Sequence, residues 1–154
     1  MICSTCGYII RDGQWLMLFR NKKKDDVNAG KWIGVGGKQE EGETPLECMI
    51  RETQEETGLT MLDPCYRGMV YFIYEDRETE LIRIYTCQSY EGDLKECREG
   101  TLAWIPQDQL DTIPVWEGDR LFLKRLTNDE DTLFTLYLYY DRHGNLLKAE
   151  EGEE

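Results

Sequence analysis

Glutamates are concentrated between residues 37 and 59 of a chain that already carries a formal net charge of −13. Glu55 and Glu56 follow Glu52 by three and four residues, so on an α-helix these side chains would be neighbours in one sector. Carboxylates held this close repel one another unless a cation lies between them. Two interpretations follow: a solvated acidic helix face, or a site for Mg²⁺ or Mn²⁺, which prefer oxygen ligands.

The local sequence predicts the helix that this arrangement needs. Thr44 is a suitable N-cap, Glu47 completes a capping box with it, and Pro45 suits the first helical position. Gly58 is a typical C-terminal stop, which gives a predicted helix over 45–57. Its expected core stripe consists of Leu46, Met49, Ile50, Thr53 and Thr57.

This region resembles the Nudix box. Gly37, Glu43 and the run RETQEETGL over 51–59 have the residue types and spacing of that motif. Thr53 departs from it, because an aliphatic residue is commoner there, but it lies on the packing face. The resemblance implies an α/β fold, the Nudix α/β/α sandwich with a mixed β-sheet. It also implies cleavage of a nucleoside diphosphate linked to another group.

The resemblance assigns the metal site. It implies that Glu52, Glu55 and Glu56 bind divalent ions, Mg²⁺ or Mn²⁺, and that the backbone carbonyl of Gly36 joins them. Arg51, at the edge of the acidic sector, would orient a glutamate through a salt bridge.

Further carboxylates are implied around this site. Glu43 would be a secondary carboxylate near the start of the helix. A later loop commonly adds another, for which we take Glu99, with Glu96 as the alternative. The general base is then Glu55, Glu56 or the loop glutamate, and the sequence does not choose among them.

A second resemblance concerns the substrate. The stretch GKWIGVGGKQEEGET over 30–44 is similar to MutT-type members that hydrolyse oxidised purine nucleoside triphosphates. The stretch PVWEGD over 114–119 is similar to the region where mammalian members of this group hold the base. By this analogy Trp116 stacks on a purine and Asp119 forms a hydrogen bond with its edge.

Alternatives stay open for the substrate residues. Lys23 and Lys38 are expected to meet phosphates, yet the basic run over 22–24 is also typical of a solvated loop. Trp116 is also compatible with an interior aromatic. Ile33 stands where the mammalian enzyme has an asparagine facing the base, so the resemblance does not carry 8-oxoguanine specificity with it.

These observations predict a Mg²⁺-dependent nucleoside triphosphate pyrophosphohydrolase. It would convert oxidised purine dNTPs such as 8-oxo-dGTP to the monophosphate and pyrophosphate, and so clean the nucleotide pool and protect DNA. Other substrates remain open: ordinary dNTPs, dinucleoside polyphosphates or nucleotide sugars. A non-catalytic nucleotide-binding module is a further alternative, although such modules often lose the box glutamates that are retained here.

Bulk properties restrict the partners. A protein this acidic is not expected to bind nucleic acid polymers or anionic membranes, which attract Lys and Arg. No apolar run approaches the roughly 20 residues that span a bilayer, and the start lacks a signal-peptide pattern. We expect a cytoplasmic monomer or homodimer with one Nudix domain over 1–149 and a frayed acidic tail over 150–154.

Cysteine usage adds one question. Cys3 and Cys6 form a close pair, but the chain has a single histidine, His143, and its other cysteines are scattered. A structural zinc site is therefore not expected. The pair is interpreted instead as small buried side chains of a strand.

The remaining elements follow from apolar patterning and turn residues. Strands are predicted over 2–10, 15–19, 32–35, 67–74, 80–89, 101–105, 132–140 and 145–148. One helical turn is predicted over 107–110, and a second helix over 117–126 with Leu121, Phe122 and Leu126 on its inner face.

Overall fold

A computed structural model describes residues 1–128 and 132–152. Its strands are β1 (Ile2–Arg11), β2 (Gln14–Phe19), β3 (Trp32–Ile33), β4 (Thr60–Leu62), β5 (Cys65–Tyr74), β6 (Glu80–Cys87), β7 (Ser89–Glu91), β8 (Thr101–Pro106), β9 (Phe134–Tyr140) and β10 (Leu146–Glu151). The helices are α1 (Pro45–Thr57) and α2 (Asp119–Thr127), and Gln107–Gln109 form a 3₁₀ turn.

Eight strands of the described chain form one mixed sheet in the order β10-β9-β5-β6-β1-β2-β3, with β8 beside β2. Two long-range pairs are parallel, β1 with β6 and β5 with β9. β1 and β2 are paired only at their hairpin, where Ile10 faces Trp15. Beyond the hairpin, residues 35–38 run beside β1, through Val35 opposite Gly7 and Lys38 opposite Ser4. This pairing holds the segment that precedes α1 against the centre of the sheet.

Two apolar clusters separate the layers. One packs around Met49 of α1 and contains Ile9, Leu16, Val35, Leu59, Met61, Tyr85 and Cys87. The other packs Phe122, Leu123 and Leu126 of α2 against side chains of β1, β2, β5 and β9. A mixed sheet between two helices is the predicted α/β/α sandwich, which is confirmed. Within the described chain, no helix is long and apolar enough to cross a membrane.

Helix α1 has the predicted ends, and both halves of its capping box form. The Glu47 N–H donates to the Thr44 hydroxyl, the Thr44 N–H donates to the Glu47 carboxylate, and Gly58 closes the helix with φ of 83°. The predicted core stripe was wrong at Leu46, which is 44% exposed, while Cys48 is fully buried. Cys48 packs against β1 and the segment before the helix, where its thiol contacts the Thr5 hydroxyl and the Gly37 carbonyl, so the buried face of α1 is rotated toward Cys48.

Two other expectations were wrong. In α2, Leu121 is exposed and Leu123 is buried in its place. The acidic tail is not frayed over its first residues, because β10 continues through Glu151 and the Gly152 N–H donates to the Thr135 carbonyl. Glu153 and Glu154, also assigned to the tail, lie outside the described residues.

Candidate active site

A cavity of about 720 Å³ opens between β1, the 20–28 loop, α1, β5 and the start of α2. Two groups of side chains line it. The first, here called the carboxylate region, consists of Glu52, Glu56 and Glu99 with the adjoining backbone of residues 36–38. The second, the aromatic region, consists of Phe72, Tyr74 and Trp116 with Asn28 and Asp119.

Arg51 organises the carboxylates beside the cavity. Its guanidinium grips Glu43 with two hydrogen bonds, Nε to Oε2 at 2.6 Å and Nη2 to Oε1 at 3.0 Å. Its Nη1 also donates to Glu52 at 3.1 Å and to Glu55 at 3.2 Å. The hydrogen bonds from Arg51 lower the pKa of Glu43 to about 2. Arg51 therefore links Glu43, in the loop before α1, to the two box glutamates Glu52 and Glu55 of the helix. These contacts are the kind of salt bridge through which the resemblance implies that Arg51 orients a glutamate.

Glu56 is the most enclosed member of the carboxylate region, with 8% of its surface exposed. Its Oε1 accepts the Gly36 N–H at 2.7 Å. Burial first, then hydrogen bonding and repulsion from Glu99, raise the pKa of Glu56 well above that of an ordinary glutamate. A buried carboxylate beside others is unfavourable in the ionised form, so this position favours either a proton or a cation.

The remaining carboxylates have different surroundings. Glu52 lines the cavity, and burial raises its pKa, with repulsion from Glu55 and Glu99 adding to the effect. Glu99 forms ion pairs with Arg20 at 3.5 Å and Lys23 at 3.8 Å and also lines the cavity. Glu55 is 60% exposed and is held by Arg51. Glu96, the alternative loop residue, is exposed and does not line the cavity.

Glycines bring the backbone close to these groups. A Cβ at Gly37 would overlap the Glu52 carboxylate, and one at Gly36, whose φ is 149°, would overlap the Thr5 carbonyl. Only residues without a side chain let this segment pass between β1 and α1. The spacing of the box therefore places Gly36 against Glu56.

The donor set fits a hard divalent cation. Glu52, Glu56 and Glu99 present carboxylate oxygens to one cavity and raise one another's proton affinity, which a cation would relieve. As they stand, no three His, Cys, Asp or Glu side chains of residues 1–128 and 132–152 are arranged to hold a metal ion. Arg51 holds Glu52, the Gly36 N–H holds Glu56, and Arg20 and Lys23 pair with Glu99.

Trp116 lies in the wall of the aromatic region. It is only 3% exposed, it packs edge-on against Phe72, Tyr74 and Tyr140, and its indole N–H donates to Asn28 at 2.7 Å. The structure thus gives Trp116 the contacts of an interior aromatic that also borders the cavity. Stacking of Trp116 on a purine stays a prediction.

Asp119 begins α2 and lines the same region. Burial raises its pKa to about 7, although Lys31 and Arg120 oppose the shift. Near neutral pH its carboxyl is therefore available in both forms, one that donates and one that only accepts a hydrogen bond. Cys6 borders this region too, and burial followed by the charge of Asp119 raises the pKa of its thiol to about 12.

Three other predicted residues, Lys23, Lys38 and Ile33, also reach the cavity. Lys23 and Lys38 are exposed at its rim, and Ile33 lines its wall without a polar side-chain atom.

Cys3 and Cys6 are both in β1 as predicted, but they are half-buried free thiols, and their separation of three places them on opposite faces of the strand.

Sequence reasoning missed part of the aromatic region. Asn28, Phe72 and Tyr74 line the cavity but carry no local motif. Phe72 and Tyr74 alternate in a predicted strand, which shows that they share one face of the sheet. Alternation does not show what packs against that face. The signal for Asn28 was absent, because a polar loop residue looks the same whether it faces solvent or a cavity.

The chain is similar in sequence to known proteins. The family described as NUDIX domain matches residues 4–126. The chain is 34% identical over 121 residues to the oxidized purine nucleoside triphosphate hydrolase of Danio rerio, covering 77% of this chain and 74% of that protein. It is 32% identical over 128 residues to nucleoside triphosphatase NudI of Enterobacter sp. (strain 638), covering 76% of this chain and 90% of that protein.

Solved structures show the same fold. The crystal structure of a MutT protein from Bacillus halodurans matches with a TM-score of 0.86 at 26% identity and covers 100% of this chain and 99% of that one. The MutT protein of Methanosarcina mazei matches with a TM-score of 0.73 at 27% identity, covering 85% of this chain and 96% of that one.

Proposed function

The chain belongs to the Nudix family, and we propose that it is a Mg²⁺-dependent nucleoside triphosphate pyrophosphohydrolase of the MutT type. As a member of that family it is a hydrolase of small nucleotide substrates, and enzymes of the family generally use divalent metal ions. The proposed reaction adds water to a purine dNTP, oxidised forms such as 8-oxo-dGTP among them, and releases the monophosphate and pyrophosphate.

The observation that carries the proposal is the composition of one cavity. Carboxylates suited to divalent cations and an aromatic wall with polar groups line the same space of about 720 Å³. Ligand sites for small molecules commonly have such volumes and combine apolar walls with a few placed polar groups. A nucleoside triphosphate has the matching parts, since its phosphates require cations and its base requires a flat apolar surface.

The carboxylate region and the neighbouring Glu55, which does not line the cavity, have distinct proposed roles. Glu52, Glu55, Glu56 and Glu99, with the Gly36 carbonyl, would hold the cation. A divalent cation there supplies charge neutralisation for the phosphates and acidifies the attacking water. Arg51 would keep the glutamates in place, because its two hydrogen bonds to Glu43 fix its own position. The proton acceptor is one of Glu55, Glu56 and Glu99.

The rim and the aromatic region would hold the rest of the substrate. Lys23 and Lys38 line the cavity and would meet phosphate oxygens that extend beyond the carboxylates. Trp116 and Asp119 border the region proposed for the base. The similarity of the chain to an oxidized purine nucleoside triphosphate hydrolase supports a purine in that region.

The products of hydrolysis across a nucleotide panel, separated by chromatography, test the proposal, because ADP-ribose and dinucleoside polyphosphates are cleaved without releasing pyrophosphate. The panel contains 8-oxo-dGTP, the four ordinary dNTPs, a dinucleoside polyphosphate and ADP-ribose, each with Mg²⁺ and with EDTA. We expect Mg²⁺-dependent release of pyrophosphate from purine dNTPs, with the nucleoside monophosphate as the other product. Preference for the dinucleoside polyphosphate or ADP-ribose would overturn the substrate class, and no turnover of any compound would overturn the activity.

A further inference from the structure

Asn28 is held against Trp116 at the wall of the cavity. The Trp116 indole N–H donates to the Asn28 Oδ1 at 2.7 Å, across 88 positions of sequence. Lys31 lies over the Trp116 ring, with its Nζ 4.3 Å from the ring centroid. Asn28 itself lines the cavity beside Phe72 and Tyr74.

The Trp116 contact fixes the direction of the Asn28 amide. An indole N–H can only donate, so it requires the oxygen of the amide and not the nitrogen. The NH₂ group must then point away from the indole. Asn28 therefore presents hydrogen-bond donors from a side chain that borders the cavity.

The backbone around Asn28 is also fixed. The Asn28 N–H donates to Asp26 Oδ1 at 3.1 Å, and the other oxygen of Asp26 accepts from Arg20 Nε at 2.7 Å. The Lys31 N–H donates to the Asn28 carbonyl at 3.1 Å. A side chain anchored at its backbone and at its amide oxygen loses little freedom when it binds a ligand, which favours selectivity.

We propose that Asn28 selects the base of the substrate by donating from its side-chain amide to a carbonyl at the purine 6-position. This inference rests on the proposed function, because it requires a nucleotide in the cavity. Adenine would pair with an asparagine through both halves of the amide, but the oxygen of Asn28 is already engaged by Trp116. Guanine-type bases present O6 as an acceptor and need only the donor half. Oxidation at C8 leaves O6 in place, so 8-oxoguanine belongs to the same class.

Two substrates isolate this contact. dGTP and the deoxynucleoside triphosphate of 2,6-diaminopurine differ in the carbonyl or amino group at position 6 and in the proton on N1. The wild-type protein should favour dGTP in kcat/KM by roughly tenfold, the discrimination expected of one well-placed hydrogen bond. Asn28→Asp keeps an acceptor for Trp116 and replaces the donors by a second acceptor. The ratio should then fall at least about tenfold and approach or pass equality.

Asn21→Asp is the matched control. Asn21 is in the same loop, is exposed, and bonds to Thr101 outside the cavity. The Asn21→Asp variant adds the same negative charge nearby but leaves the Asn28 amide in place, so its ratio of kcat/KM for the two substrates should remain that of the wild type. Comparing ratios removes any uniform loss of affinity that the added charge causes. An unchanged ratio in Asn28→Asp overturns the inference. A wild-type protein without preference between the two substrates also overturns it, and that result does not depend on whether the variant folds.

A metal-free binding measurement separates this inference from the proposed function. Calorimetry in EDTA compares dGMP with the monophosphate of 2,6-diaminopurine deoxynucleoside, and no turnover is needed. Tighter binding of dGMP that is lost in Asn28→Asp supports the role of Asn28 even if no triphosphate is hydrolysed. Equal binding of the two monophosphates, or binding of neither, overturns that role while leaving hydrolysis to be judged by pyrophosphate release.

Discussion

The carboxylate and aromatic regions line one cavity but are built in opposite ways. The carboxylate region comes mostly from one helix and the loop before it, with Glu99 added from the segment before β8. Its charged groups are held by Arg51 and by a backbone N–H. The aromatic region joins Asn28, Phe72 and Trp116 from distant segments through packing and a single hydrogen bond. The carboxylate region therefore depends on a local sequence motif, whereas the aromatic region depends on tertiary contacts.

The largest expected effect comes from Glu56→Gln in the carboxylate region. The amide keeps the size of the side chain but removes the charge that a cation needs and that a proton acceptor needs. Turnover should fall by roughly 10³-fold or more, because metal and proton-transfer contributions are both affected. The measurement is kcat for purine dNTP hydrolysis, together with thermal unfolding to show that the fold is intact.

Glu47→Gln is the control on the same helix. Glu47 is exposed and caps the N-terminus, a role that Gln also performs in a capping box. Its turnover should equal that of the wild type. Wild-type rates in Glu56→Gln would show that Glu56 takes no part in the reaction. The carboxylate region would then no longer be the proposed catalytic site.

The next effect is a dependence of metal-free stability on pH. Glu56 and Asp119 both have raised pKa values in the folded protein, so each binds its proton more tightly when folded. The free energy of unfolding should therefore fall as pH rises above 4.5 for Glu56, and between 3.8 and about 7 for Asp119. Each group contributes a slope of at most roughly 1.4 kcal/mol per pH unit in its window.

Variants and added Mg²⁺ show how much each region contributes to the pH dependence of the free energy of unfolding. Glu56→Gln and Asp119→Asn should each flatten the loss of stability in metal-free urea unfolding. Mg²⁺ should restore stability at high pH in the wild type and in Asp119→Asn, because it stabilises ionised Glu56, but not in Glu56→Gln. Equal rescue of all three proteins by Mg²⁺ would contradict the separation of the regions.

The local character of the carboxylate region explains why the sequence predicted it. Thr44, Pro45 and Gly58 determine the helix through neighbours along the chain, and helical periodicity then places Glu52 beside Glu56. The exposure of Leu46 was not predictable in the same way. It depends on how α1 is rotated against β1, which is a tertiary property.

The aromatic region could not be predicted from spacing. Phe72 faces Trp116 because β5 pairs in parallel with β9 and α2 then covers that face, and neither contact has a local signal. The resemblance predicted Trp116 and Asp119 as base-binding residues, but it gave no signal for Asn28, which accepts a hydrogen bond from Trp116. Short strands such as β4 and β7 were missed for the same reason, since each is fixed by pairing with the other.

A smaller effect is expected from Arg51→Lys, which weakens the positioning of the carboxylates without removing one. An ammonium cannot form the two-pronged contact with Glu43. Activity should fall roughly 10- to 100-fold, as for other groups that orient metal ligands. Because Arg51 lowers the pKa of Glu43 to about 2, the variant should also be less stable than the wild type above pH 4.5.

Acid unfolding checks the cause of this loss. The stability that Glu43 derives from Arg51 is present above its unfolded pKa of 4.5 and is lost as pH falls toward about 2. The difference between wild type and Arg51→Lys should therefore shrink over that range and vanish at its acid end. A difference that stays constant with pH would mean that packing of the arginine, and not the ion pair, is what the variant lost.

The smallest effect is expected at the rim of the cavity, from Lys23→Ala. Lys23 is 56% exposed and its contact with Glu99 is 3.8 Å long, so solvent screens its charge. Its removal should raise KM by no more than about fivefold, with kcat nearly unchanged and the effect fading at high salt. Lys24→Ala removes the same charge from an exposed neighbour that does not line the cavity, and it should leave KM unchanged. A hundredfold loss of kcat in Lys23→Ala alone would instead place Lys23 against the phosphate under attack and extend the carboxylate region to include the basic loop.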